Sequence, residues 1–430
     1  MHHVTIPLVA LWILASWPVP TQADTVTLEQ VWAIVQQQQA QIATLRDELQ
    51  ATKAALATTE TSLASTRQKI QITEEQLDMT ADYLADVADS AAPDRSPTTI
   101  GGYGELHFNH VNAEDPSKDF TEADFHRFVL FFGHEFSDRM RLVTEFELEH
   151  ALVKDTEDGS NGGEIELEQA YIEWDLNDNH WTRGGVFLVP VGILNETHEP
   201  TTFYGVERND VENIIIPSTW WEAGIAGGGR YANGLSWDAA VHTGLEMPTD
   251  GSSAFRVRSG RQKVSNANAD SLAYSLRLRY TGLPGLELAG SFHHQSDPSQ
   301  VSGDGLDSGN LISLHGIWQQ GPFSLRALWA RWDFDGDGAA LLDADEQTGW
   351  YVEPSVRLQL GNHDWGFYAR YEDVRGARNR DRFDQWELGF NYWASPRVVL
   401  KFDYRDREHD LESEAGRDFQ AIDLGLGYHF

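Results

Sequence analysis

The sequence predicts an all-β transmembrane barrel of about sixteen antiparallel strands, preceded by an α-helical coiled coil. Three observations carry this reading. From residue 100 onward, apolar residues alternate with small or polar ones, which puts the two sets on opposite faces of a strand. Short turns and long polar loops alternate between these segments, as in bacterial barrels. Residues 28–84 carry an apolar residue at every seventh position without a break, the signature of a left-handed supercoil.

The last segment shows the alternation most clearly. Ile422, Leu424, Leu426, Tyr428 and Phe430 point one way, and Asp423, Gly425, Gly427 and His429 the other. Other outward rows are Leu272, Tyr274, Leu276, Leu278 and Tyr280; Trp386, Leu388, Phe390 and Tyr392; and Val398, Leu400, Phe402 and Tyr404. These rows are too continuously apolar for a soluble sandwich, and their Tyr and Trp residues fit interfacial girdles.

Composition narrows the class further. The chain has 430 residues, with 67 acidic against 32 basic and no cysteine. No thiol metal site or disulfide framework is therefore available. The net charge of −35 argues against nucleic acid and favours cations. After the N-terminus no run of about 18 apolar residues occurs, so helical spans are not expected. A barrel remains compatible with low hydropathy, because only alternate residues face lipid.

The N-terminus reads as an export signal over 1–23. Ile6 to Trp17 is apolar and Thr21-Gln22-Ala23 ends on a small residue, although His2 and His3 stand where Lys or Arg is usual. Residues 24–87 form the coiled-coil helix. Position a is Leu28, Val35, Ile42, Leu49, Leu56, Leu63, Ile70, Leu77 and Leu84, and position d is rich in Thr. Residues 88–99 hold two prolines and read as a linker. The barrel then occupies 100–430.

The strand count follows from the connections. Short turns sit near 137–139, 177–179, 232–234, 282–285, 319–322, 361–363 and 394–396. Long loops lie near 111–122, 153–163, 190–221, 245–270, 296–309, 334–347, 374–381 and 409–417. Seven turns and eight loops give sixteen strands. Both chain ends then fall on the short-turn side, the periplasmic side in bacterial barrels.

The third long loop, 190–221, breaks the rhythm. Its apolar residues Ile193, Leu194, Phe203, Ile214, Ile215 and Ile216 argue for an ordered loop folded into the lumen, where it would narrow the pore. Here the chain resembles the phosphate-selective porin O/P superfamily. The resemblance is carried by Gly185-x-Phe187-x-x-Pro190-x-Gly192, Phe203 and Glu207-Arg208-Asn209. The terminal Phe430 resembles the aromatic insertion signal read by the barrel insertion machinery. The resemblance implies a sixteen-stranded, trimeric channel in outer-membrane lipid. Its phosphate-selective members line the pore with Arg and Lys. This chain departs from them: Leu188 stands where the motif commonly carries a basic residue, and only six lysines occur. Phosphate selectivity is not carried over.

Candidate site residues follow from parity. The constriction loop offers Glu196, His198, Glu199, Glu207, Arg208, Asp210 and Glu212. A basic wall of Arg277, Arg279, Arg326, Arg357, Arg370, Lys401 and Arg405 faces it across the lumen, which would set a transverse field. Glu145, Glu147, Glu149, Glu164, Glu166 and Glu168 alternate with Phe146, Leu148, Ile165 and Leu167, and read as an acidic vestibule attractive to cations. Asp333, Asp335 and Asp337 before Gly338 match half of a calcium loop between strands, a place for a loosely bound calcium at most. No other cofactor is expected. His107, His126, His134 and His150 are scattered, and no hydrolase motif occurs, so no enzyme is expected.

The expected function is passive diffusion of small hydrophilic solutes across a bacterial outer membrane, leaning toward cations, with the coiled coil in the periplasm. The alternatives are a channel selective for phosphate, another anion or a metal ion, and an envelope tether whose barrel is only an anchor.

Overall fold

The computed structural model describes residues 97–153, 163–301 and 305–430, together with Trp32 and Lys53. The signal segment 1–23, the coiled coil 24–87 apart from those two helical positions, and most of the 88–99 linker lie outside the described residues. The barrel unit spans Ser96–Phe430.

Sixteen strands close on themselves in sequence order. They are β1 Thr98–Ala113, β2 Phe120–Ser137, β3 Met140–Glu149, β4 Ile165–Asp175, β5 His180–Leu188, β6 Trp221–Arg230, β7 Leu235–His242 and β8 Ala273–Leu283. The circle continues with β9 Leu286–Gln295, β10 Ser308–Gln320, β11 Phe323–Asp335, β12 Glu346–Leu360, β13 His363–Arg375, β14 Arg382–Ser395, β15 Val398–His409 and β16 Phe419–His429. Strand β1 starts at Thr98, inside the expected linker. Its antiparallel pairing with β16, Tyr103 opposite His429 and Phe108 opposite Leu424, removes the last sheet edge. Phe430 exchanges backbone hydrogen bonds with Gly102 at 2.9 and 3.0 Å, so the terminal aromatic sits at the seam.

Outward residues are exposed as a lipid-facing surface requires. Trp174, Leu278, Leu314, Trp386, Leu388 and Leu424 all show open apolar faces, while Asp423 between Ile422 and Leu424 is fully buried. The alternation of the sequence is thus a lipid face against a lumen face.

Of the five register shifts in the described strands, two adjust this parity near the third loop. In β2, Phe125 and His126 stand against a single residue of β1 between the Glu105–Arg127 and His107–Asp124 pairs. In β4, the pairing steps from Gln169 opposite Glu145 to Leu167 opposite Phe146, leaving Glu168 as the extra residue. An extra residue re-aims side chains locally. Both bulges lie beside the charged groups described below.

The lumen is not uniformly polar. Strand β11 turns Leu328, Ala330, Trp332 and Phe334 inward, all buried. They join a cluster with Val189, Ile193, Leu194, Val211, Ile214, Ile215, Ile216 and Trp220 of the third loop and Leu245, Met247, Phe255 and Val257 of the fourth. Burying a side chain of this size is worth about 1.5–3 kcal/mol, so the cluster holds both loops inside the barrel.

Candidate pore constriction

The third loop, 189–220, leaves β5 early and crosses the lumen. Asn195 clasps its base: its side-chain amide donates to Val189 O at 2.7 Å and Trp220 O at 3.0 Å, and its Oδ1 accepts from Trp220 N at 2.6 Å. From there the loop touches most of the circumference. Arg326 of β11 donates to Thr202 O, Asn391 of β14 to Phe203 O, and Lys401 of β15 to Gly205 O. Glu207 meets the ring of His107 on β1 at 3.1 Å, and Asp210 N donates to Glu372 of β13 at 2.8 Å. Gly205 adopts φ +93°, and a Cβ there would lie 2.6 Å from Glu387 Oε1, so only glycine lets the loop pass so close to the wall.

Glu212 does not face the pore, contrary to expectation. It is fully buried and accepts from Ile193 N at 2.6 Å, Leu194 N at 2.7 Å and the Tyr351 hydroxyl at 2.9 Å. It fastens the loop to itself and to β12. Glu196 is tied to Arg277, and Glu199 is half-buried. Glu207 lines the open space; burial acts to raise its carboxyl, but the neighbouring His107 ring outweighs it and holds the group well below the usual range.

The basic wall points inward but is largely committed. Arg277 pairs with Asp238 at 2.8 Å and with Glu196, Arg370 with Glu353 at 3.0 Å and with Glu387, and Arg405 with Asp423 at 2.6 Å. Arg357 pairs with Asp364 at 2.9 Å over the Trp393 ring. Arg279 reaches Ser236 at 3.5 Å. Of the lumenal glutamates nearby, Glu353 pairs with Arg370. Glu287 meets His315, and Glu372 serves Asp210 N and Gln385. Most of these cations hold the loop and wall together rather than facing a gap.

The six glutamates do not form one open rim. Glu145, Glu147, Glu166 and Glu168 are buried. Glu164 and Glu166 are drawn to Lys263 of the fourth loop, while Glu145 and Glu168 surround His198 of the third. Loops roof the hairpin because their apolar residues pack inward. Asp333 and Asp335 are strand residues of β11 rather than loop residues, and Asp337 opens a short helical turn, Asp337–Leu341. Asp333 pairs with Arg331 and Asp335 accepts from Ser308. These three aspartates do not converge as ligands.

Two cavities remain on the side of the loop toward β1, β2, β15 and β16. The larger, about 420 Å³, is lined by Lys118, Arg208, Arg380, Arg405, Arg407 and Arg417 as well as Glu122, Glu207, Asp210 and Asp381. The smaller, about 150 Å³, is lined by Arg127, Arg208, Arg258, His107, His126, Glu147 and Glu149. Glu207 and Arg208 line both. Arg208 Nε and Nη2 are buried without a hydrogen-bond partner. Arg258 and Arg261 donate to the backbone oxygens of Ser218 and Thr219 respectively. Among the described residues, Arg208, Arg256, Arg258 and Arg261 have no carboxylate ion-pair partner. Burial and the neighbouring charges of Arg261 and Arg256 push Arg258 down to about 9.

Sequence reasoning named Glu207, Arg208, Asp210, Arg405, Glu147 and Glu149 of this lining but missed Arg127, Arg258, Arg380, Arg407 and Arg417. The signal for Arg258 and Arg380 was the arginine clustering Arg256-x-Arg258-x-x-Arg261 and Arg378-x-Arg380 in two long loops. Sequence reasoning also missed that the β2 bulge stacks His126 on His107 at 4.5 Å, with His150 6.2 Å from His126.

A family model for phosphate-selective porins O and P matches residues 99–430. The chain belongs to that family. A curated relative, an uncharacterized protein of Aquifex aeolicus (strain VF5), is 32% identical over 345 residues, covering 71% of this porin and 74% of the relative. Among solved structures, the anion-selective porin from Comamonas acidovorans superposes with a TM-score of 0.54 at 12% identity, over 78% of this porin and all of that chain. The Salmonella typhi OmpF complex with daunomycin gives 0.51 at 12% identity, over 77% of this porin and 97% of that chain. These two likenesses show the fold. Family and barrel together make the porin an outer-membrane channel, passive rather than enzymatic.

Proposed function

We propose that the porin passes small hydrophilic solutes and prefers anions, its selectivity set where the third loop narrows the lumen. Arg208 carries this reading: one guanidinium, lining both cavities, with two nitrogens buried and unbonded. A guanidinium stays protonated at working pH. Burial, with the neighbouring charges of Arg261 and Arg256, lowers the affinity of Arg258 for its proton, and Arg258 lines the smaller cavity, where a passing anion relieves that cost. Net charge favoured cations, but a channel selects at its constriction, and the lumenal carboxylates there are largely paired. The cation-leaning alternative rests on Glu122, Glu147 and Glu149, which line the cavities without an ion-pair partner among the described residues. We further infer a homotrimer, with the coiled coil on the periplasmic side, because both ends of an even-stranded barrel emerge there.

The test is ion substitution in single-channel recording. Replacing chloride by gluconate should lower conductance more than replacing potassium by a bulky organic cation. The reverse order would return the assignment to cations.

A further inference from the structure

The inner side of the third loop holds a cluster that the passage does not use. His198 is 3% exposed and packs against β3 and β4. Its Nδ1 lies 3.2 Å from Asn195 O. A carbonyl only accepts, so this nitrogen donates, and in the neutral ring Nε2 is then an acceptor. Nε2 nevertheless faces two carboxylate oxygens, Glu145 Oε1 at 3.2 Å and Glu168 Oε2 at 3.5 Å. Three acceptors turned on one point need a positive species between them.

The outer oxygens of both carboxylates are already held. Glu145 Oε2 accepts from Gln169 Nε2 at 2.6 Å, and Glu168 Oε1 from the Thr219 hydroxyl at 2.6 Å. Outer contacts of this kind orient metal ligands, as does the histidine's bond to a backbone carbonyl. The β4 bulge supplies the aim, because Glu168 is the extra residue.

A second observation is independent of the cluster's own hydrogen bonds. Glu147 is 2% exposed with Oε2 unpartnered, and Tyr103 is 0% exposed with an unpartnered hydroxyl. The Tyr103 ring stands edge-on to His198 at 6.1 Å, and its hydroxyl is within electrostatic range of Glu145, Glu147 and Glu168. The nearby Arg127 is paired with Glu105. Two buried polar atoms beside the cluster, Glu147 Oε2 and the Tyr103 hydroxyl, are thus left without a hydrogen-bond partner, which a water-poor interior penalises.

We propose that Glu145, Glu168 and His198 bind a divalent transition-metal cation of the zinc class, with Glu147 and the Tyr103 hydroxyl as the adjoining polar groups. One imidazole with two carboxylates suits zinc and its neighbours, whereas calcium asks for six or more oxygens. The ligands come from two wall strands and the loop, so the ion clamps the constriction loop to the barrel.

The full-length porin, purified in detergent and stripped with chelator, is equilibrated with zinc chloride and dialysed, and zinc per chain is counted by atomic emission. One retained zinc is expected. Loss of a ligand in His198→Gln or Glu168→Gln should lower zinc affinity about tenfold or more, whereas Glu412→Gln, on an exposed residue of the last long loop, should keep the zinc. Absence of zinc in the wild type, or retention in His198→Gln equal to wild type, overturns the proposal and leaves a protonated imidazole between the carboxylates. Should the variants fail to give a folded barrel, cobalt titration of the wild type decides. A visible band saturating at one equivalent and displaced by zinc supports the site, and no band overturns it.

Discussion

Removing the guanidinium of Arg208 takes one positive charge from the point where the two cavities meet. A charge a few ångströms from a partly hydrated ion is worth on the order of 1 kcal/mol, about fivefold in a permeability ratio. Arg208→Gln should therefore lower the chloride-to-potassium permeability ratio about fivefold at low salt. An unchanged ratio at low ionic strength, where screening is weakest, would remove Arg208 from the selectivity account. A second residue acts through packing. Trp220 is fully buried among His242, His293 and Trp332. Trp220→Ala should cost about 3–5 kcal/mol locally, seen as increased conductance noise with the barrel's melting little changed. Quiet, wild-type openings would show that the loop is held elsewhere. The sequence named Arg208 among its loop residues but not the free arginines at 256, 258 and 261. Charge in a long loop carries no parity, so nothing local tells which side chains turn inward.

At the level of elements, the third loop crosses the lumen and is proposed to narrow the passage. Deleting 198–212 removes its contacts with β1, β11, β14 and β15, together with Arg208. Single-channel conductance should rise and the anion preference should weaken; unchanged conductance would mean that the narrow point lies elsewhere. The loop was legible because it broke the strand rhythm while keeping its isoleucines. The strands were legible too, where one face met lipid and the other water. Strand β11 was less so: Leu328, Trp332 and Phe334 face inward while Trp329 faces out, and a strand apolar on both faces has no alternation to read. The acidic hairpin failed for another reason. Its parity was read correctly, but cover by the third and fourth loops is a tertiary fact, and it turned an open rim into a partly exposed group around Lys263 and an enclosed one around His198.

For the whole molecule, net charge and local charge point in opposite directions. The chain carries −35 overall, yet the passage beside the third loop gathers arginines from four loops and the neighbouring wall. Composition could not resolve this, because a sum has no position. The coiled coil is the other whole-molecule question. If Thr-rich d layers make 24–95 self-associate weakly, proteolytic cleavage in the 88–99 linker should leave barrels that still sediment as trimers and release a largely unfolded peptide; release of a tight dimer would contradict the trimeric arrangement. The central claim, however, concerns which ions cross. A planar-bilayer recording of the full-length porin across a potassium chloride gradient reads it directly. The account predicts a reversal potential on the chloride side of zero, shifting toward zero as salt rises; a reversal potential on the potassium side would contradict it.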